Sequence, residues 1–94
     1  MKVRWTSEAV RDRLEVMAYI AADNPQAAIE MDGLFGEAAD RLARYPELGA
    51  VGRVPGTREL IPHRNFRLVY EIDGDTLSIL ALVHAARQWP PTRP

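Results

Sequence analysis

No cysteine occurs among the 94 residues. Disulfides and thiolate chemistry are therefore excluded, which fits a reducing cytoplasm as the expected location. Lysine is nearly missing: Lys2 is the only one, and the remaining cationic charge is arginine. Serine occurs only at Ser7, at an expected helix start, and at Ser78, in an expected strand, so a nucleophilic triad has no support. The two histidines, His63 and His84, stand far apart, without HxxxH or HExxH spacing. No metal site and no cofactor are expected. Gly49-Ala50-Val51-Gly52 and Pro55-Gly56 lack the Lys-Ser/Thr of a phosphate-cradling loop. No apolar run is long enough to span a membrane. The opening Lys2 and Arg4 lead into Thr6-Ser7-Glu8 rather than an apolar stretch, so neither a membrane partner nor a signal peptide is expected. Repeats and low-complexity segments are absent.

What remains is an ordinary globular composition, 47% apolar and 27% charged, with a net charge of −1. That length and composition fit one small domain spanning residues 1–94. A chain that lives by gripping phosphate backbones carries a clear positive excess, so direct sequence-specific DNA binding is not expected. The charge is uneven, however. Beyond Gly52 stand Arg53, Arg58, Arg64, Arg67, Arg87 and Arg93 against Glu59, Glu71, Asp73 and Asp75, while the first half is acidic.

The pattern predicts α+β architecture. Residues 2–5 read as a joining or edge strand, with Val3 and Trp5 alternating. Thr6 or Ser7 caps a first helix over about 7–22, with Val10, Leu14, Met17, Ala18 and Ala21 at helical spacing. Asn24-Pro25 restarts a second helix over about 25–45, with Ala28, Met31, Phe35, Ala38, Leu42 and Tyr45 as its stripe. The short link makes the helices an antiparallel hairpin. Residues 47–56 read as loop, and strands are expected over about 57–61, 66–72 and 76–84, followed by a Pro-rich tail over 88–94. The expected order is β-α-α-β-β-β, a helical hairpin packed on a small antiparallel sheet.

Around the turn at Asp73-Gly74-Asp75, strict alternation sorts the last hairpin into two faces. Leu68, Tyr70, Ile72, Leu77, Ile79, Ala81 and Val83 form a core face. Arg67, Val69, Glu71, Ser78, Leu80, Leu82 and His84 form an outer face that no element of the chain covers. On this reading Arg67 and His84 share a face on adjacent strands.

Arginine with histidine is a minimal kit for RNA cleavage, one supplying charge at the phosphate and the other a proton. Glu71, the second proton-transfer candidate on that face, lies toward the far end of its strand, so the kit is incomplete. The plainer reading pairs Arg58 and Arg67 with acids such as Glu59. It also makes His84 a hydrogen-bonded strand-end residue, and has Trp89 pin the tail to the domain or to a partner.

Several segments, in order, carry a resemblance: Trp5-Thr6; Tyr19-Ile20-Ala21 with Asn24-Pro25-Gln26-Ala27-Ala28; Val54-Pro55-Gly56-Thr57-Arg58-Glu59-Leu60; Phe66-Arg67-Leu68-Val69-Tyr70; and Val83-His84-Ala85-Ala86-Arg87-Gln88-Trp89-Pro90. The chain resembles the RelE/ParE superfamily of toxins from bacterial type II toxin–antitoxin systems, closest to the ParE-like branch. The resemblance implies a cytoplasmic growth inhibitor neutralised by a cognate antitoxin. In the ParE-like branch the target is DNA gyrase and the toxin is not an enzyme. The resemblance then implies target binding by Arg58, Arg67, His84, Arg87 and Trp89, and antitoxin binding through Val69, Leu80, Leu82 and parts of the two helices. In the RelE-like branch the toxin cuts messenger RNA on the ribosome, and Arg67 and His84 become catalytic. That branch is basic, with lysines about its site. The lysine-poor chain with its Pro90-Pro91-Thr92-Arg93-Pro94 tail favours the first reading. A binding module without toxicity is the third.

Overall fold

A computed structural model describes residues 1–85 and 89–90. Strand β1 (Lys2–Trp5) leads into helix α1 (Ser7–Asp23) and helix α2 (Pro25–Arg44). Strands β2 (Ala50–Val51), β3 (Arg58–His63), β4 (Phe66–Asp73) and β5 (Thr76–His84) follow. The sheet order is β1-β5-β4-β3-β2. The neighbours from β2 to β5 pair antiparallel, and β1 lies parallel to β5 at one edge. The helical hairpin covers one face of this sheet, as the sequence pattern requires. No described helix is long and apolar enough to cross a membrane.

The helix ends are set locally. Thr6 caps α1 by accepting from the Ala9 amide at 3.2 Å. Asn24 serves both helices: its amide donates to Ile20, and its side chain accepts from Ala27. Pro25 then takes the first turn of α2, where no amide hydrogen is needed. Along α2 the expected stripe is inside, with Ala28, Phe35, Ala38 and Leu42 buried, but Tyr45 is left exposed.

Helix α1 is rotated from the expected stripe. Ala9 is buried and Val16 and Met17 pack on the core, while Val10 and Leu14 are exposed. The reason is that two charged residues face inward, each with a fitted partner. Arg13 donates to Asp32 at 2.6 Å through Nε and to the Asp32 carbonyl through Nη2, with its guanidinium 4.6 Å from the centre of the Trp5 ring. This clamp joins β1, α1 and α2. Asp12 accepts from the Leu82 amide of β5 at 3.0 Å.

The decisive departure lies in β5. Val69 pairs with Ala81 but Tyr70 pairs with Ile79, leaving Leu80 as an extra residue. This is a β-bulge, and it inverts the alternation beyond it. Leu77 and Ile79 face the helices as expected; past the bulge, Leu82 joins that same core. Ala81 and Val83 turn instead to the outer face, where they cluster with Val69. The expected placement of Ala81 and Val83 in the core, and of Leu82 and His84 outside, is corrected by this single residue. A second irregularity lies in β3 between Leu60 and His63, at Pro62, which has no amide hydrogen to give the ladder. The tight turn uses Gly74-Asp75, with Gly74 at φ +63, a conformation glycine adopts without strain.

Tyr70, fully buried, ties the sheet to the segment after α2. Its hydroxyl donates to the Pro46 carbonyl at 2.7 Å and accepts from the Gly49 amide at 2.9 Å. A Cβ at Gly49 would lie 2.7 Å from that hydroxyl and 2.8 Å from the Glu59 carbonyl oxygen, so only glycine fits. Just beyond it, Ala50–Val51 forms the two-residue β2 within what the sequence reads as loop. Tyr70→Phe leaves two polar groups unsatisfied. Chemical denaturation is expected to show a loss of about 1–3 kcal/mol with the denaturant slope unchanged.

Candidate functional site: two sheet faces

The bulge divides the candidate residues between two surfaces. On the outer face, Arg67 donates from Nη1 to Glu59 Oε1 at 3.4 Å, and both side chains are largely buried. Glu59 Oε2 accepts from the Arg53 amide at 3.1 Å. Arg53 Nη1 in turn donates to the Trp89 carbonyl at 3.3 Å. The Trp89 side chain packs on Val69, Ala81 and Val83. Its indole Nε1 is buried without a hydrogen-bond acceptor among the described residues. Trp89 thus packs on the face that the sequence leaves uncovered.

On the helix-facing side, His84 sits against Phe66 with ring centroids 5.3 Å apart and planes at 76°. Phe66 also meets Phe35 edge-on at 5.4 Å. His63, opposite Phe66 on β3, accepts through Nδ1 from the Asn65 amide at 3.1 Å. A groove of about 680 Å³ opens here between α1 and the end of β5, with Val16, Ile20, Met31, Phe66 and Leu82 among its lining. Asp12, Glu15 and Tyr19 of α1 edge it, with Asn65 and His84 at the strand end.

Arg67 and His84 therefore do not share a face. Arg67 pairs with Val83, on the outer side, while His84 pairs with Phe66, on the core side. Arg58 is separate again. It lies opposite core-facing Tyr70, and its Nη1 donates to the carbonyls of Gly49 at 2.8 Å and Glu47 at 3.3 Å. Phe66 and Tyr70 are four residues apart on β4, so Arg58 and His84 mark positions about 14 Å apart along the sheet at ~3.4 Å per residue. Arg87 lies outside the described residues. Of the expected target-binding set, only Arg67 and Trp89 are seen together on one face. The expected antitoxin patch is divided too. Val69 is buried beneath Trp89, Leu82 is buried in the groove floor, and Leu80 is half-buried at the bulge.

Sequence reasoning expects parts of the helices to meet an antitoxin but does not single out the α1 edge of the groove. Asp12, Glu15 and Tyr19 share one side of the helix at spacings of three and four, a signal present in the chain but masked by the apolar stripe beside it. Arg53 was missed because it lies in a segment without periodicity.

Burial raises the Asp12 carboxyl above its ordinary 3.8; the Leu82 amide draws it partway back, and Glu15 and Glu8 raise it further. The folded chain thus holds this proton more tightly than the unfolded one. Between 3.8 and the raised value, the Asp12 contribution to stability falls as pH rises. Asp12→Asn keeps an acceptor for the Leu82 amide and removes the charge. It is expected to match or exceed the parent at neutral pH and to flatten that part of the pH–stability curve. Asp12→Ala orphans the amide and is expected to cost about 1–3 kcal/mol by urea denaturation.

The chain and its fold have counterparts among known proteins. The model for the ParE toxin of the type II toxin–antitoxin system, parDE, matches residues 3–89. The putative toxin Y4kP of Sinorhizobium fredii is 41% identical over 90 residues, 95% of this chain and 93% of that protein. Toxin RelE2 of Caulobacter vibrioides is 34% identical over 86 residues, 92% of this chain and 97% of that one. A chain of the chromosomal ParDE toxin–antitoxin system of P. aeruginosa superposes with a TM-score of 0.80 at 23% identity, covering 89% of this chain and 95% of that one. One from the RelBE2 toxin–antitoxin complex of Mycobacterium tuberculosis superposes at 0.62 with 28% identity, covering 88% and 95%.

Proposed function

The chain belongs to the ParE toxin family of type II toxin–antitoxin systems, and on that footing we propose that it arrests bacterial growth by binding and poisoning DNA gyrase. A cognate antitoxin holds it in check in the cytoplasm. The observation that carries this reading over RNA cleavage is the separation of Arg67 from His84. Cleavage needs a charge-stabilising group and a proton-transfer group converging on one phosphate. Here the sheet stands between the two, and Arg67 faces Glu59 rather than a histidine. The net charge of −1 and the single lysine also disfavour a grip on ribosomal RNA.

On this reading the outer face is the working surface. Arg53, Glu59 and Arg67 frame it, and Trp89 supplies an aromatic anchor of the kind that dominates protein–protein binding. Toxicity then depends on Trp89 and the tail more than on His84.

Induced expression in a bacterium tests the reading, with DNA-repair induction and transcript integrity followed in one culture. Filamentation and repair induction with intact transcripts are expected. Rapid transcript cleavage with arrested translation would contradict it and return Arg67 and His84 to catalytic roles. Growth unaffected by a folded chain would leave the non-toxic binding module. Among variants, His84→Ala is expected to remain toxic, whereas Trp89→Ala is expected to lose toxicity by at least tenfold in the inducer needed for arrest.

A further inference from the structure

The groove between α1 and β5 has a chemistry that constrains its occupant. Its floor is apolar, with Phe66 and Leu82 at its base, and two carboxylates, Asp12 and Glu15, stand on its α1 edge. No lysine or arginine is among its lining residues. Asp12 commits Oδ2 to the Leu82 amide and makes no ion pair among the described residues; Glu15 and Glu8 repel it, and Arg11 attracts it more weakly than they repel. Tyr19, 84% exposed despite its ring, continues the same side of α1 one turn beyond Glu15. Negative edge, aromatic face and apolar floor together match a side chain that is cationic at its tip beside one that is apolar throughout.

We infer that this groove seats an apolar segment of the antitoxin that bears one lysine or arginine, the base pairing with Glu15 and Asp12 while its apolar neighbour fills the floor over Phe66 and Leu82. This rests on the toxin–antitoxin reading above and adds the charge that the partner must carry. The pairing also makes neutralisation salt-sensitive, because the carboxylates lie at an open edge where counterions compete. A partner lacking the base would leave two like charges facing an apolar surface, so the edge discriminates between antitoxins as well as attracting one.

The experiment uses the full chain and the antitoxin encoded alongside it, with affinity measured by calorimetry at low and moderate salt. Glu15→Lys is expected to weaken binding at least tenfold. Glu15→Gln should weaken it several-fold and flatten its salt dependence. Tyr19→Ala should weaken it and Tyr19→Phe should not. Glu71→Lys, the same charge change on the exposed part of β4, should bind as the parent does. Parent-like affinity and salt dependence in Glu15→Lys would overturn the assignment. So would a parent chain that is dimeric without antitoxin and monomeric as Glu15→Lys, since a second copy would then fill the groove. Failure of the parent and Glu71→Lys alike to bind the antitoxin would overturn the toxin–antitoxin reading itself, a result distinct from loss confined to the groove variants.

Discussion

One residue too many in β5 governs the molecule. At Leu80 the chain gains a residue that β4 does not match, and every side chain after it changes sides. Bulges leave backbone groups unpaired, and here the start of α1 supplies partners. The Thr6 amide donates to the Ile79 carbonyl, the Thr6 hydroxyl to the Leu80 carbonyl, and Asp12 accepts from the Leu82 amide. The helix that caps itself with Thr6 therefore also fixes the register of the central strand. β5 lies between β1 and β4, so its register sets both ladders at once.

Two surfaces follow from that shift. Leu82 and His84, turned toward the helices, complete a groove with an acidic edge on α1. Ala81 and Val83, turned away, complete an apolar seat with Val69 on which Trp89 rests. With an unbroken alternation, the outer face would carry His84 beside Arg67, the arrangement that RNA cleavage requires. The bulge instead divides those residues between the two sides of the sheet. The buried Trp89 indole nitrogen has no acceptor among the described residues. Burying the Trp89 ring therefore carries a desolvation cost that a partner offering an acceptor would remove.

Much of the fold is legible in the chain because local chemistry specifies it. Asn24-Pro25 sets the helix junction, the Phe35-Leu42 stripe sets the inner face of α2, and the turn at Gly74 sets the first half of the last hairpin. The family, too, is legible in the run from Val54 to Tyr70 and in the His84 segment, in agreement with the matched family model. The site is less legible. A bulge leaves no mark on hydrophobic alternation when both faces are apolar, and Leu80, Ala81, Leu82 and Val83 suit either side. The α1 face is misread for a different reason: Arg13 and Asp12 point inward because Asp32, Trp5 and the Leu82 amide receive them. Those partners are distant in sequence. Arg58 falls on the other side of β3 from Glu59 by simple alternation, but that matters only once the strand's register against β4 is known.

The most direct test is a nuclear Overhauser map of the isolated chain at the end of β5. The bulged register predicts contacts between the His84 and Phe66 rings, and between the Trp89 ring and the methyls of Val69 and Val83. Contacts from His84 to the Arg67 or Glu59 side chains, with Val83 methyls among the helices, would show an unbroken strand. They would return Arg67 and His84 to one face and remove the ground for two separate binding surfaces.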